Sequence, residues 1–314
     1  MTKPTTLDAI RMHRGDADAI VAAGELVDMR FAAGNVLSLR AAKLLCLLVQ
    51  EAGIAVADQV QHRVPFSVLN ETFHKSREEL VEAIAELHST TISVRLTSRQ
   101  GRAYTKSGPI LSDVEREADD LSDAEVRFEF SPVLRRVIAD STHWTAVSRR
   151  AVLAFESKYA LRLYLYLSLR ARLRKSAEEL DLDALRDLLG LSGGTLSRWQ
   201  DMRRFALDPA LAEINHLAGF HAAYGPLKRG RRIVGVMLTW SLKERAELVE
   251  AQRELDRSRV GRTARREELV ETIAEARRRI AESLANAPPI DQLRPDYLGR
   301  PSPEPRPPRP TGDR

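Results

Sequence analysis

Leu37, Ala41, Leu44, Leu45 and Leu48 recur at the spacing of one helix face, and Gly53 ends the run, so a helix is predicted from about Ser38. Residues 1–30 ahead of it are polar and irregular and read as a flexible tail with one short helix. Val64-Pro65-Phe66 reads as a short edge strand, and Ser67 caps a brief helix to Phe73. Ser76 and Glu79 form a Ser-x-x-Glu capping box, and the helix it opens places Leu80, Ile84 and Leu87 on one face. Thr91–Leu96 alternates β-branched residues as a strand does. Thr97–Asp123 is polar, with Gly101, Gly108 and Pro109. Val126–Phe130 alternates apolar and charged positions and reads as the strand returning to Thr91–Leu96.

A second series follows in similar order. Leu153–Arg174 is apolar over more than half its circumference, the pattern of a helix at the centre of a domain. Leu180–Leu189 reads as a second helix, stopped by Gly190 and Gly193-Gly194, and a third runs from about Ser197 to Leu217. Pro209 falls inside this third helix, which either kinks there or restarts with Asp208 as cap; Leu207, Leu211 and Ile214 face the core in both cases. Phe220–Tyr224 and Ile233–Trp240 read as paired strands, with Gly225-Pro226 and Gly230 in the turn. Ala83-Ile-Ala-Glu-Leu87 and Ala210-Leu-Ala-Glu-Ile214 close the third helix of each series, as a duplication would leave them.

Composition narrows the classes. The chain has 314 residues, enough for two ordinary cores, and 49 Lys plus Arg against 44 Asp plus Glu, a net charge of +5. That excess permits a nucleic-acid partner without requiring one, so the placement of charge carries the argument. Cys46 is the only cysteine, which excludes an intramolecular disulfide and a cysteine-based zinc site; within Leu44–Val49 it reads as a buried core residue. The N-terminus MTKPTTLDAI has no apolar signal core, and the most apolar helix is too short to span a bilayer. A cytoplasmic location with no membrane partner is expected.

Catalytic motifs are absent. The chain has no Gly-x4-Gly-Lys-Ser/Thr loop, and its seven histidines never pair at close metal-binding spacing. Tyr164 and Tyr166, the tyrosines a DNA-nicking enzyme would need, sit on an apolar helix where core packing is the expected role. No catalytic residue, metal or cofactor is assigned. A DNA-binding reading has a mechanism. Arg198, Arg203 and Arg204 lie at the start of the third helix of the second series, where side chains can reach base edges in a major groove. Adjacent helical residues point about 100° apart, so one of Arg203 and Arg204 faces bases and the other phosphate. Ser197 and Asp201 are expected as caps or phosphate-side contacts. Lys228, Arg229, Arg231 and Arg232 crowd around Gly230 in the hairpin turn and would repel one another without an anion, as a phosphate clamp would supply. The first series offers a sparser set: Lys75 and Arg77 at its third helix, and Arg95, Arg99, Arg102 and Lys106 in its hairpin.

The stretches LSLRAAKLLCLL (Leu37–Leu48), VRFEFSPVL (Val126–Leu134), FESKYALRLYLYL (Phe155–Leu167), DMRRFALDPALAEIN (Asp201–Asn215) and KRGRRIVGVML (Lys228–Leu238) resemble the replication initiator proteins of iteron-containing bacterial plasmids. The resemblance covers about residues 30–242. It implies an α+β fold, mainly α, of two tandem winged-helix domains, at 31–148 and 149–242. In such proteins the second domain reads a direct repeat of double-stranded DNA, and the first adds DNA contacts and forms dimers. Monomers initiate replication with the host initiator and replicative helicase, and dimers repress the protein's own gene at an operator inverted repeat. The alternative is a winged-helix transcriptional regulator without origin activity. Residues 243–285 lie outside the resemblance and read as a solvated, charged helical extension. Nine of the 15 prolines follow residue 287, which makes 286–314 a disordered, polyproline-like tail.

Overall fold

The computed structural model describes residues 3–27, 30–31, 36–73, 77–97, 101–116, 124–171, 173, 175–191 and 194–268. Residues 1–266 form one compact unit. Its first half runs α1 (Thr6–Met12), β1 (Ala19–Ala23), α2 (Gly24–Val27), β2 (Arg30–Phe31), α3 (Leu39–Ala52), β3 (His62–Pro65), α4 (Phe66–Phe73) and α5 (Arg77–Ser89). It continues through β4 (Thr91–Thr97), β5 (Ala103–Pro109), β6 (Leu111–Arg116), β7 (Glu125–Phe130), α6 (Pro132–Asp140), β8 (Trp144–Ser148) and α7 (Arg149–Ala154). The second half runs α8 (Lys158–Ser168), β9 (Ala177–Asp181), α9 (Leu182–Leu189), α10 (Trp199–Met202), a π-helical turn (Arg203–Leu207) and α11 (Asp208–Leu217). It ends with β10 (Phe220–Arg229), β11 (Arg232–Leu242) and α12 (Arg245–Asp256).

The order helix, strand, helix, helix, hairpin occurs twice, with β4 and β5 inserted ahead of the hairpin in the first half. In the second half β9 pairs with β11, which pairs with β10. In the first half β3 pairs with β7, which pairs with β6. The two halves are therefore winged helices built from α3-β3-α4-α5-β6-β7 and α8-β9-α9-(α10–α11)-β10-β11. The apolar faces read from periodicity are the ones buried: Leu44, Leu48, Leu80, Ile84 and Leu87 in the first half, Leu207, Leu211 and Ile214 in the second. Burying each such side chain contributes on the order of 1.5–3 kcal/mol. Tyr164 and Tyr166 are buried as expected. Cys46 is half-buried against the core, and burial pushes its thiol up to about 12.

Several expectations are corrected. The described part of the expected tail, residues 3–27, is not free: Thr5 and Asp8 close a capping box on α1, and β1 pairs with β8 from Ala19↔Ser148 to Ala23↔Trp144. Ala9, Ile10, Ile20 and Val21 are buried there, too few per element to leave a periodic signal. β4 and β7 are not partners. β4 pairs with β5 in a sheet with β2, and β7 pairs with β3 and β6, so Ala103–Pro109 and Leu111–Arg116 of the polar stretch are strands in two different sheets instead of one long wing. Leu153–Arg174 is broken at 155–157, where Ser157 caps α8 by accepting from the Tyr159 and Ala160 N–H groups. Helix α9 is preceded by β9, whose approach to β11 needs Gly235: a Cβ there would collide with the Leu180 carbonyl. Gly225-Pro226 lies within β10, so the hairpin turn is only Gly230-Arg231.

The two halves are joined by buried polar contacts. Lys43 on α3 is almost fully buried, and its Nζ donates to the carbonyls of Leu153 (2.7 Å), in α7, and Phe155 (2.5 Å), in the link from α7 to α8. The extension after Leu242 is not simply solvated. Glu254 of α12 is 2% exposed and meets Arg265 (2.6 Å), Arg262 (3.2 Å) and His216 of α11 (3.4 Å). Burial alone raises a carboxyl, but the hydrogen bonds from Arg265 and Arg262 hold Glu254 down at about 2. Arg150 on α7 ties to the same helix through Asp256 (2.5 Å) and Gln252 (2.5 Å). The expectations for residues 269–285 and for the tail 286–314 lie outside the described residues.

Candidate nucleic-acid interface

The helix that begins after Arg198 is continuous to Leu217. Arg203, Met202, Leu207 and Asp208 all have helical φ and ψ, so Asp208 does not cap a restarted helix. The π turn at 203–207 ends two residues before Pro209. Proline lacks an N–H and crowds the carbonyl four residues back, and a widened turn accommodates both defects. Met202, Ala206, Leu207, Ala210 and Leu211 are buried, leaving Arg198, Arg203, Arg204, Phe205 and Asp208 exposed.

Three sets of contacts hold this helix in place. Arg186 on α9 donates to the carbonyls of Thr195 (2.7 Å) and Leu196 (2.8 Å), holding a turn in which Leu196 takes φ of 49°. A side chain in that left-handed region is disfavoured, so the turn depends on such support. Tyr224 of β10 donates to Asp208 Oδ1 (2.8 Å), and Arg203 Nε lies 3.6 Å from Asp208 Oδ2. Burial, then the Asp208 bond, pushes the Tyr224 phenol up, so it stays protonated and donating. At the far end Asn215 bonds the Ala222 N–H and carbonyl through its side-chain amide (2.7 and 2.9 Å), locking helix to hairpin.

Arg203 and Arg204 thus differ. Arg203 bridges the π turn to Asp208, whereas Arg204 carries its guanidinium 5.3 Å from the Phe205 ring centroid. Neither Ser197 nor Asp201 is a cap: the N-cap position is Arg198, with no side-chain cap bond, while Ser197 is exposed and Asp201 half-buried. At the hairpin tip Gly230 takes φ of 62°, which only glycine adopts without steric cost. Lys228, Arg229, Arg231 and Arg232 are all exposed, and among the described residues none forms an ion pair. The β10–β11 ladder places them at one tip.

The first-half set is not brought together in the same way. Lys75 and Arg99 lie outside the described residues, and so does Ser76 of the expected capping box. Arg77 stacks over the Phe66 ring at 4.7 Å. Arg95 and Arg102 belong to the β4–β5 hairpin, and Lys106 turns back to the body, where its Nζ donates to the Pro132 carbonyl (3.3 Å). This hairpin is not the counterpart of β10–β11; the β6–β7 pair is. The chain joining β6 to β7 carries Glu117, Asp119, Asp120 and Asp123, acids where the second half carries cations.

Fold and site define a tandem winged-helix protein whose second wing carries four exposed cations at its tip. The initiator replication protein WH1 family matches residues 20–168, and the initiator Rep protein WH2 family matches residues 181–240. The chain belongs to this replication initiator family. The structure is similar to that of the Pi initiator protein in complex with iteron DNA, with a TM-score of 0.55 and 16% identity over 78% of this chain and 100% of that one. That likeness is one of fold. A WH1 domain of a replication protein isolated from a multiple sclerosis patient aligns at 21% identity over 33% of this chain and 82% of that one, with a TM-score of 0.26. No curated protein matches the chain. Among the described residues no helix is long and apolar enough to cross a membrane.

Proposed function

We propose that this protein initiates replication of a bacterial plasmid by binding direct repeats of duplex DNA at the origin. The helix Trp199–Leu217 enters the major groove, with Arg198 and Arg204 at base edges, and the turn Lys228–Arg232 rests on phosphate. The observation that carries this reading is the tip of the second hairpin: four exposed cations, without ion pairs among the described residues, adjoin a helix whose exposed face begins with arginines. An anion must compensate them, and a phosphate backbone matches their line. The family assignment supports the reading, as does the iteron DNA named with the Pi initiator. Opening of the origin, recruitment of a host initiator and helicase, a homodimer repressing its own gene, and a cytoplasmic location belong to the same proposal. The first half would serve mainly in protein contacts, because acids stand in the chain between β6 and β7 where DNA contact needs cations.

The test is a plasmid whose only origin is this gene with its flanking DNA. Replication in a bacterial host, together with tight binding of purified protein to direct repeats in that DNA, is the expected result. Tight operator binding without any replicating clone would make the protein a transcriptional regulator instead.

A further inference from the structure

We infer that Phe205 is a specificity-determining residue that packs on the 5-methyl group of a thymine in the bound repeat. This rests on the groove-binding reading above. Phe205 is 55% exposed and is the one large apolar side chain exposed on the helix Trp199–Leu217. It points away from the core that buries Met202, Ala206 and Ala210.

A single exposed aromatic is ordinary on a protein surface. This one is set differently in two respects. It lies within the π turn, and the Arg203–Asp208 pair spans that turn while Tyr224 of the hairpin holds Asp208. The backbone carrying Phe205 is therefore pinned to the same hairpin that presents the phosphate clamp. Its neighbours are also polar: Arg204 beside the ring, Asp201 one turn before, Asp208 one turn after. An apolar group beside Arg204 on a helix that enters the groove would meet an apolar partner there, and the thymine methyl is the apolar group a major groove displays. Arg204 next to it would take the neighbouring base edge or phosphate.

The experiment uses the full chain and a duplex bearing one direct repeat from the DNA beside the gene. Each thymine is replaced in turn by deoxyuridine, which removes the methyl and leaves the hydrogen-bonding edge intact. Wild-type protein is expected to lose about fourfold in affinity at one thymine, the worth of one buried methyl-sized group. Phe205→Ala should weaken binding to the unmodified repeat by at least that factor, leave random-duplex affinity unchanged, and show no penalty for uridine at that position. Phe205→Leu, which keeps an apolar surface, should retain the penalty. The inference is overturned if wild type tolerates every uridine, if Phe205→Ala keeps the penalty, or if Phe205→Ala weakens repeat and random duplex equally. The last result would place Phe205 in a sequence-independent contact. If wild type binds the repeat no better than random duplex, the groove-binding reading itself fails and this inference goes with it.

Discussion

Glu213, 2% exposed near the end of α11, accepts a hydrogen bond from the backbone N–H of Glu156, just ahead of the capped start of α8. The equivalent glutamate of the first half does the same job. Glu86 on α5 accepts from the N–H (2.5 Å) and hydroxyl (2.6 Å) of Ser38, the N-cap of α3. In each winged helix the third helix thus satisfies donors at the entry of the first. This gives the repeated Ala-x-Ala-Glu-x segment a structural reason: the glutamate pins two helices, while the small residues let them approach.

Removing these glutamates should have unequal effects. Glu213→Ala removes a carboxylate that is itself buried and takes the acceptor from the part-buried N–H of Glu156, and is expected to cost about 2 kcal/mol. Glu213→Gln keeps an oxygen acceptor and should be close to neutral, because burial already raises this carboxyl and Gln removes the charge. Glu86→Ala should cost less than about 1 kcal/mol, since water replaces the lost acceptor at the exposed Ser38. Urea unfolding midpoints of the three variants check the ranking; a costlier Glu86→Ala than Glu213→Ala would refute it.

The helices whose faces bury several residues at regular spacing, such as α3, α5 and α11, were legible because 3.6-residue periodicity is local information. Strand pairing is not local. β4 and β7 each alternate as strands should, yet nothing along the chain says that β4 joins β5 and β7 joins β3. β9 escaped notice because its residues AEELD are polar and at most half-buried on a sheet edge. The basic residues of the site were all visible in the sequence. Their separation into a bridging Arg203 and an unbridged Arg204 was not, because it depends on a π turn and on Tyr224 arriving from the hairpin. Phe205 was missed although one signal existed: it falls off the Leu207, Leu211 and Ile214 face.

The two parts of the interface should fail in different ways. Arg204→Ala or Arg198→Ala is expected to cost about 1–3 kcal/mol on repeat DNA and little on random DNA. Arg203→Ala should cost less directly, because Arg203 already serves Asp208. Arg231→Ala or Arg232→Ala should weaken binding to every sequence and reduce the salt slope by about one. Titrations at several salt concentrations with repeat and random duplexes separate the classes. Equal losses from both sets on both duplexes would count against the division.

Arg186 offers a test of indirect support. It donates to two carbonyls in the turn before Arg198, where Leu196 holds a left-handed backbone. Arg186→Ala should let that turn relax and displace the first residues of the helix. Repeat binding should drop by about tenfold, while Leu196→Gly, which adopts the same backbone without strain, should restore much of the loss. Failure of the glycine to rescue Arg186→Ala would assign Arg186 a role other than holding this turn.

The extension beyond the second winged helix should stabilise the protein in a pH-dependent way. Glu254 lies buried among Arg262, Arg265 and His216, and its carboxyl is held at about 2 against an ordinary value of 4.5. A folded-state value below the unfolded one means the unfolded chain binds the proton first. The stabilisation is therefore fully present above about pH 4.5 and drains away as pH falls towards 2. Glu254→Gln removes the charge but leaves Arg262, itself 3% exposed, without its carboxylate. Breaking a buried pair on one side costs about 3 kcal/mol near neutral pH. The gap between wild type and Glu254→Gln, measured by urea unfolding, should be widest near pH 7 and shrink steadily below pH 4.5. A gap that stays constant down to pH 3 would show that this cluster does not couple the extension to the fold through the Glu254 charge.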